Sequence, residues 1–275
     1  MRSDPLSLRN SWKIRVNGLL RTVSPKQRNT HCYVVGTAKS GTHSLAKAFP
    51  KLRTMHEPSA LELNHLIANK VHDDPTMVRR LSQWFLWRDR SMRLDVESNH
   101  FLWSFSGLLA DLFPEARFIV LFRHPASWLN SWLNHSKTYP EPVGSVWEQA
   151  LKIVYRWEDF EYEFESEAFR REGFHPVRSY LEHWKLVNQK LLDSIPEDRA
   201  LWLETPKMNH AVRDVSRFLG VDPASLTLAS VHEFKAAEEA SDKLLTLETE
   251  RLHQAIDEIC SPTLTAINMR QASKW

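Results

Sequence analysis

The sequence carries no excess of charge of either sign. Lysine and arginine number 36 against 34 aspartates and glutamates, a formal net charge of +2. That excludes a general nucleic-acid binder, whose surface needs a strong basic excess, and leaves room for a local basic pocket that holds a small anion. Cysteine is nearly absent. Cys32 and Cys260 form no CxxC and no metal-ligand spacing, so they read as free thiols of a reducing compartment, and no metal is expected. Long apolar runs are missing too. No stretch approaches the roughly 20 residues of a membrane span. The basic N-terminus, MRSDPLSLRNSWKIRVNGLLRTV, has no continuous apolar segment of the kind that leads secretion. A cytoplasmic protein without a membrane span is expected. Repeats, low-complexity blocks and obvious linkers are also lacking, which favours one domain over residues 31–275 behind a polar lead-in of residues 1–30. That lead-in reads as a weakly amphipathic arm (Trp12, Ile14, Val16, Leu19, Leu20) packed on the domain.

What is present suits a globular core: 275 residues, 42% apolar and 25% charged. Strand-like and helix-like segments alternate along the chain. CYVVG, LRTMHEP, RLDVESNH, ARFIVLF and RALWLET read as strands, with ARFIVLF the clearest. Helices are expected over HSLAKAF, ALELNHLIANKV, TMVRRLSQWFLWRDRSM, FLWSFSGLLADLF, PASWLNSWLNHS, roughly 145–170, VRSYLEHWKLVNQKLLDSI, HAVRDVSRFLGV and LLTLETERLHQAIDEIC. Pro125 opens one of these and Gly220 stops another. Residues 136–147, with Pro140, Pro142 and Gly144, read as a loop. The alternation predicts an α/β fold: a central parallel sheet flanked by crossover helices. Eleven tryptophans stand mostly at helical spacings, such as Trp84 with Trp87 and Trp128 with Trp132, a core pattern.

The first informative stretch is HCYVVGTAKSGTHSLAKAF, residues 31–49. An apolar strand meets a glycine-bounded loop, and a helix follows. Backbone N–H groups at a helix start make an anion site. Gly36 and Gly41 permit the tight path, Thr37, Ser40, Thr42 and Ser44 add hydroxyl donors, and Lys39 adds charge. The spacing of the two glycines is that of the phosphate loop of NTPases. Yet Thr42 and His43 stand where that loop has lysine and Ser/Thr. The second stretch is FPEARFIVLFRHPASWLNSWLNH. It delivers Arg123 at the end of a strand and Ser131 eight residues later on a helix, and ligands of open α/β sheets bind outside strand carboxyl ends. Taken singly, Arg123 suits a structural salt bridge and Ser131 a small helix residue.

Together the two stretches resemble the sulfotransferases that use 3′-phosphoadenosine 5′-phosphosulfate (PAPS). GTAKSGTHSL looks like their 5′-phosphosulfate loop, and FIVLFRHPASWLNSW like their 3′-phosphate motif. FPEARF matches the usual lead into that motif, and ALWLETPKMNHAVRDVSRFLGV is more weakly similar to a later segment. The resemblance spans roughly residues 31–221. It implies that Thr37, Ala38, Lys39, Ser40, Gly41, Thr42, His43 and Ser44 meet the 5′-phosphosulfate, with His43 in place of the common second threonine. It also implies that Arg123 and Ser131 meet the 3′-phosphate. The basic loop that closes over this phosphate in cytosolic members has only Lys235, in VHEFKAAEEA, as a counterpart.

Sulfuryl transfer to a hydroxyl needs a proton acceptor and a positive charge at the leaving phosphate oxygen; Lys39 suits the second task. The resemblance offers two residues for the first. Glu57, in MHEP, sits like the glutamate after the second strand of carbohydrate and tyrosylprotein sulfotransferases. His100, in VESNHF, lies 23 residues before Arg123, like the histidine of KTH in aryl and steroid enzymes, but without the lysine and threonine of that motif. Glu57 ranks first. Structural roles stay open for both: a helix cap for Glu57, a helix-start residue for His100. His56 reads as a neighbour that tunes Glu57, and His135 as a residue of the pocket rim. The expected reaction joins PAPS to a hydroxyl of a small-molecule or carbohydrate acceptor. An atypical P-loop kinase or NTPase, or a non-catalytic nucleotide binder, are the alternatives.

Overall fold

The computed structural model describes residues 27–227 and 249–272. Most of the expected lead-in and Lys235 therefore lie outside the described residues. Five strands, β1 (Cys32–Gly36), β2 (Thr54–His56), β3 (Val96–Ser98), β4 (Arg117–Phe122) and β5 (Ala200–Glu204), form one sheet in the order β2-β3-β1-β4-β5. All the pairings are parallel. Val34 faces Ser98 on one side and Ile119 on the other, and Val120 faces Trp202. The expected α/β class is the observed one.

Alternation along the strands sorts side chains to two faces, and both faces are apolar. Tyr33, Val35, Phe118, Val120, Phe122 and Trp202 join the larger core. Cys32, Val34, Ile119, Leu121, Leu201 and Leu203 join the smaller. A sheet covered on both sides gives near-continuous apolar runs, which is why these strands stand out in the sequence. The small face is covered by α1 (Thr42–Lys47) and by the later helix Val212–Leu219. The large face is covered by α2 (Ala60–Ala68), α3 (Val78–Met92), α4 (Ser106–Leu112), α5 (Pro125–Thr138), α6 (Val146–Tyr155) and the long helix Val177–Ser194. Trp84, Trp128 and Trp132 are buried, as their spacing predicts. Two C-terminal helices, Thr249–Ile259 and Ser261–Ala272, pack beside the long helix.

The helix expected over roughly 145–170 is broken. It ends at Tyr155; Arg156 turns left-handed at φ 50, a 3-10 turn follows over Trp157–Asp159, and only Glu167–Arg171 is helical again. Two forces outcompete continuation. Trp157 stacks on His175 at 3.8 Å and 8°. The buried Glu165 carboxylate accepts backbone N–H groups from Glu163, Phe164 and Val177 at 2.8, 3.1 and 2.5 Å, which holds the chain extended.

Burial holds several imidazoles neutral. His183 is pushed down to about 3, with its Nδ1–H donated to the Val154 carbonyl at 3.2 Å. His31 is held at about 4 by burial and by the Arg28 charge. The unfolded chain takes up these protons near pH 6.5 and the folded chain does not, so stability falls as pH drops from there. Each such histidine steepens the acid limb by about 1.4 kcal/mol per pH unit. Urea unfolding between pH 6 and 4.5 should show that limb shallower by about this amount in His183→Gln. Identical slopes in variant and wild type would contradict the assignment.

Candidate active site

The carboxyl ends of the strands converge on one region. β1 ends in the glycine loop, β2 delivers Glu57, β3 delivers His100, β4 delivers Arg123 and β5 delivers Thr205. Gly36 is a steric necessity: a Cβ there would lie 2.1 Å from the Leu121 carbonyl oxygen of the neighbouring strand. Gly41 holds φ 100 at the entry to α1. Three tethers fix the loop between them. Ser40 Oγ donates to Thr37 O at 2.6 Å. The indole N–H of Trp128, on α5, donates to Ala38 O at 2.8 Å. Thr205 Oγ1 lies 2.6 Å from Ser40 O and 2.9 Å from Phe122 O, so one hydroxyl proton serves both the loop and the strand that carries Arg123.

The charge of the site comes from side chains, since α1 spans only six residues and contributes little dipole. Lys39 and Arg123 are half-buried, and neither donates a hydrogen bond or closes an ion pair with a described residue. Burial and the Arg123 charge lower the Lys39 ammonium below its ordinary range, while Glu57 opposes the shift. Burial alone lowers Arg123. Thr37 Oγ1 is buried without a partner among the described residues. Two unneutralised cations and an orphan hydroxyl in one crevice suit an anion.

Glu57 and His100, alternatives in the sequence, touch. His100 Nδ1 lies 2.6 Å from Glu57 Oε1. His56 Nε2 lies 3.3 Å from the same oxygen and 3.4 Å from Thr42 Oγ1, and the His43 ring meets the His56 ring edge-on at 4.8 Å. Burial pushes the Glu57 carboxyl up, but the His100 charge and hydrogen bond, with His56 and His43, outweigh it and hold the group below its ordinary range. Burial and Glu57 act in opposite senses on His56, and burial prevails, so its pKa is lowered. Glu57 caps no helix; Ser59 precedes α2 without a side-chain cap. Ser131 and Ser44 are half-buried on α5 and α1. His135 shares the face of Ser131 one turn on. Burial lowers it to about 4, and the charges of Lys39 and His100 act in the same direction, so it borders the crevice.

The family model described as "Sulfotransferase domain" matches residues 32–233. The chain belongs to the sulfotransferase family. Among solved structures, a sulfotransferase from Alicyclobacillus acidocaldarius aligns at 17% identity with a TM-score of 0.49, over 90% of this chain and 96% of that one. The sulfotransferase domain of the Synechococcus PCC 7002 olefin synthase aligns at 14% identity with a TM-score of 0.39, over 89% and 96%. No curated protein matches the chain. Among the described residues of this sulfotransferase, no helix is long and apolar enough to cross a membrane, and no group of three or more His, Cys, Asp or Glu could hold a metal ion.

Sequence reading missed Thr205, Trp128 as a loop tether, and a buried guanidinium behind Glu57. Arg88 is 2% exposed and grips Glu97 through both carboxylate oxygens at 2.6 Å. The one available signal was Glu97 itself, a charge inside a strand that is otherwise covered. The tightness at Gly36 generates a test. Gly36→Ala should destabilise the sulfotransferase by roughly 3 kcal/mol or more, because the colliding atom is sheet backbone and cannot swing away. Urea unfolding of that variant measures it; wild-type stability would show that the loop relaxes.

Proposed function

We propose that the chain transfers the sulfuryl group of PAPS to a hydroxyl of a small-molecule or carbohydrate acceptor. The observation that carries this reading is the pairing of two kinds of group in one crevice: Lys39, Arg123 and the Thr37 hydroxyl, which lack anionic partners of their own, beside the hydrogen-bonded Glu57 and His100. A nucleotide with phosphates at both the 3′ and 5′ positions needs two separate cationic contacts. Arg123, with Ser131 on the helix that follows, suits the 3′-phosphate; Lys39 and the loop suit the 5′-phosphosulfate.

In the reaction, an oxygen–sulfur bond forms to the acceptor while the bond from sulfur to the 5′-phosphate oxygen breaks. The acceptor proton must leave, and the phosphate oxygen gains charge. Lys39 stabilises that charge. His100 Nε2 takes the proton, because its Nδ1 is committed to Glu57. Glu57, held ionised, fixes the tautomer and stabilises the imidazolium that forms. Glu57 and His100 then act as one unit with divided roles.

Arg123→Ala should remove a charge-assisted contact worth about 1.5–3 kcal/mol, weakening the 3′,5′-bisphosphate roughly tenfold or more. Calorimetry with nucleotides that have or lack the 3′-phosphate checks this; equal binding of both by the wild type would sink the donor assignment.

His100→Ala should cut turnover by about 10²–10⁴-fold while donor binding is kept. Glu57→Gln should cost less, since the amide oxygen still accepts the Nδ1 proton but carries no charge. A folded His100→Ala within a few-fold of wild type would return the proton-accepting role to Glu57.

A further inference from the structure

Buried ion pairs seldom add stability over well-packed apolar residues of the same volume, so one that persists invites another explanation. Arg88 on α3 and Glu97 on β3 form such a pair, 2% and 4% exposed. Their remaining hydrogen bonds point to one place. Arg88 Nη2 donates to Pro58 O at 2.8 Å and Nε donates to Ser59 Oγ at 3.2 Å. Asn99 Nδ2 donates to the same Pro58 carbonyl at 3.2 Å and to Glu97 Oε1 at 3.1 Å, while Asn99 Oδ1 accepts the Phe101 N–H at 3.1 Å. The residues gripped are those directly after Glu57 and directly before and after His100.

The backbone here needs holding. Glu57 and Ser59 both adopt left-handed conformations, φ 48 and φ 62, which non-glycine residues keep only when their surroundings over-determine them. The last backbone tie between the two loops is Glu57 N–H to Ser98 O at 2.9 Å. Beyond it, the loops meet through Arg88, Asn99 and the Glu57–His100 bond itself. A guanidinium presents its donors in a fixed planar fork, so Pro58 O and Ser59 Oγ on the loop after β2 are held at set spacings from both Glu97 carboxylate oxygens on β3.

We infer that Arg88 and Glu97 are positioning residues that set the contact between Glu57 and His100. The inference deepens the reading of that pair as the proton acceptor and rests on it only for its effect on turnover.

The test is Arg88→Lys, with Glu97→Gln as its partner variant. Two-dimensional ¹⁵N–¹H spectra of the substrate-free protein read the His100 tautomer, with the resonance assigned by its loss in His100→Gln. In wild type, neutral His100 should hold its proton on Nδ1 alone. Each variant should show a mixture of Nδ1–H and Nε2–H forms. Turnover should fall roughly 10- to 100-fold, as expected for a misplaced reacting group, with donor Kd within about threefold. Should both fail to fold, Ser59→Ala leaves the ion pair whole and should give the same tautomer mixing at smaller amplitude. A single Nδ1–H tautomer in the folded variants overturns the inference, whatever turnover does. A mixed tautomer together with a fully active His100→Ala would instead keep the positioning role and remove the pair from proton transfer.

Discussion

A parallel sheet buried on both faces leaves its chain few places to gather polar groups. Here the two apolar cores claim every side chain along β1 and β4 except Arg117 at the start of β4 and Gly36 at the end of β1. Polar chemistry is driven to the strand ends. In the β2-β3-β1-β4-β5 order the chain leaves β1 toward one edge of the sheet and leaves its neighbour β4 toward the other. The crevice at such a reversal is where open α/β sheets bind ligands. Lys39, Glu57, His100, Arg123 and Thr205 all follow from this one constraint.

Water exclusion has an electrostatic counterpart. Burial lowers Lys39, Arg123, His56 and His135, and competes with neighbouring imidazoles over Glu57. The crevice thus holds two cations near one carboxylate in a medium that screens poorly. Fixed charges in such a place are worth more than in water and need no reorganisation when an anionic group arrives.

Much of this was legible in the sequence. Strands covered on both faces read as apolar runs, and a glycine-bounded loop behind one of them is conspicuous. The places of Gly36 at the end of β1 and Arg123 just past the end of β4 follow from local pattern. What stayed hidden is contact between distant segments. Glu57 and His100 read as rivals because nothing local shows that β2 and β3 are neighbours whose ends meet. Arg88 looks like any charge in the stretch QWFLWRDR, where only the fold decides which charge turns inward. The break after Tyr155 was missed for the same reason: helical spacing persists past Arg156, but the stacking of Trp157 on His175 and the backbone bonds to Glu165 are tertiary. The short strands β2 and β3 were found, but their register was not.

The central position of β1 also bears on how the chain is made. Its partners come late: Cys32 pairs with Val96 on one side and Arg117 on the other. At about 5–20 residues per second of synthesis, β1 waits roughly 3–13 s for its first neighbour. For that time CYVVG is an unpaired apolar strand, and the glycine turn behind it has no Leu121 carbonyl to close against. The geometry of the glycine loop is therefore not a local product of its own residues. It comes into being only when β4 has left the ribosome, and until then the segment is an apolar run without its sheet partners.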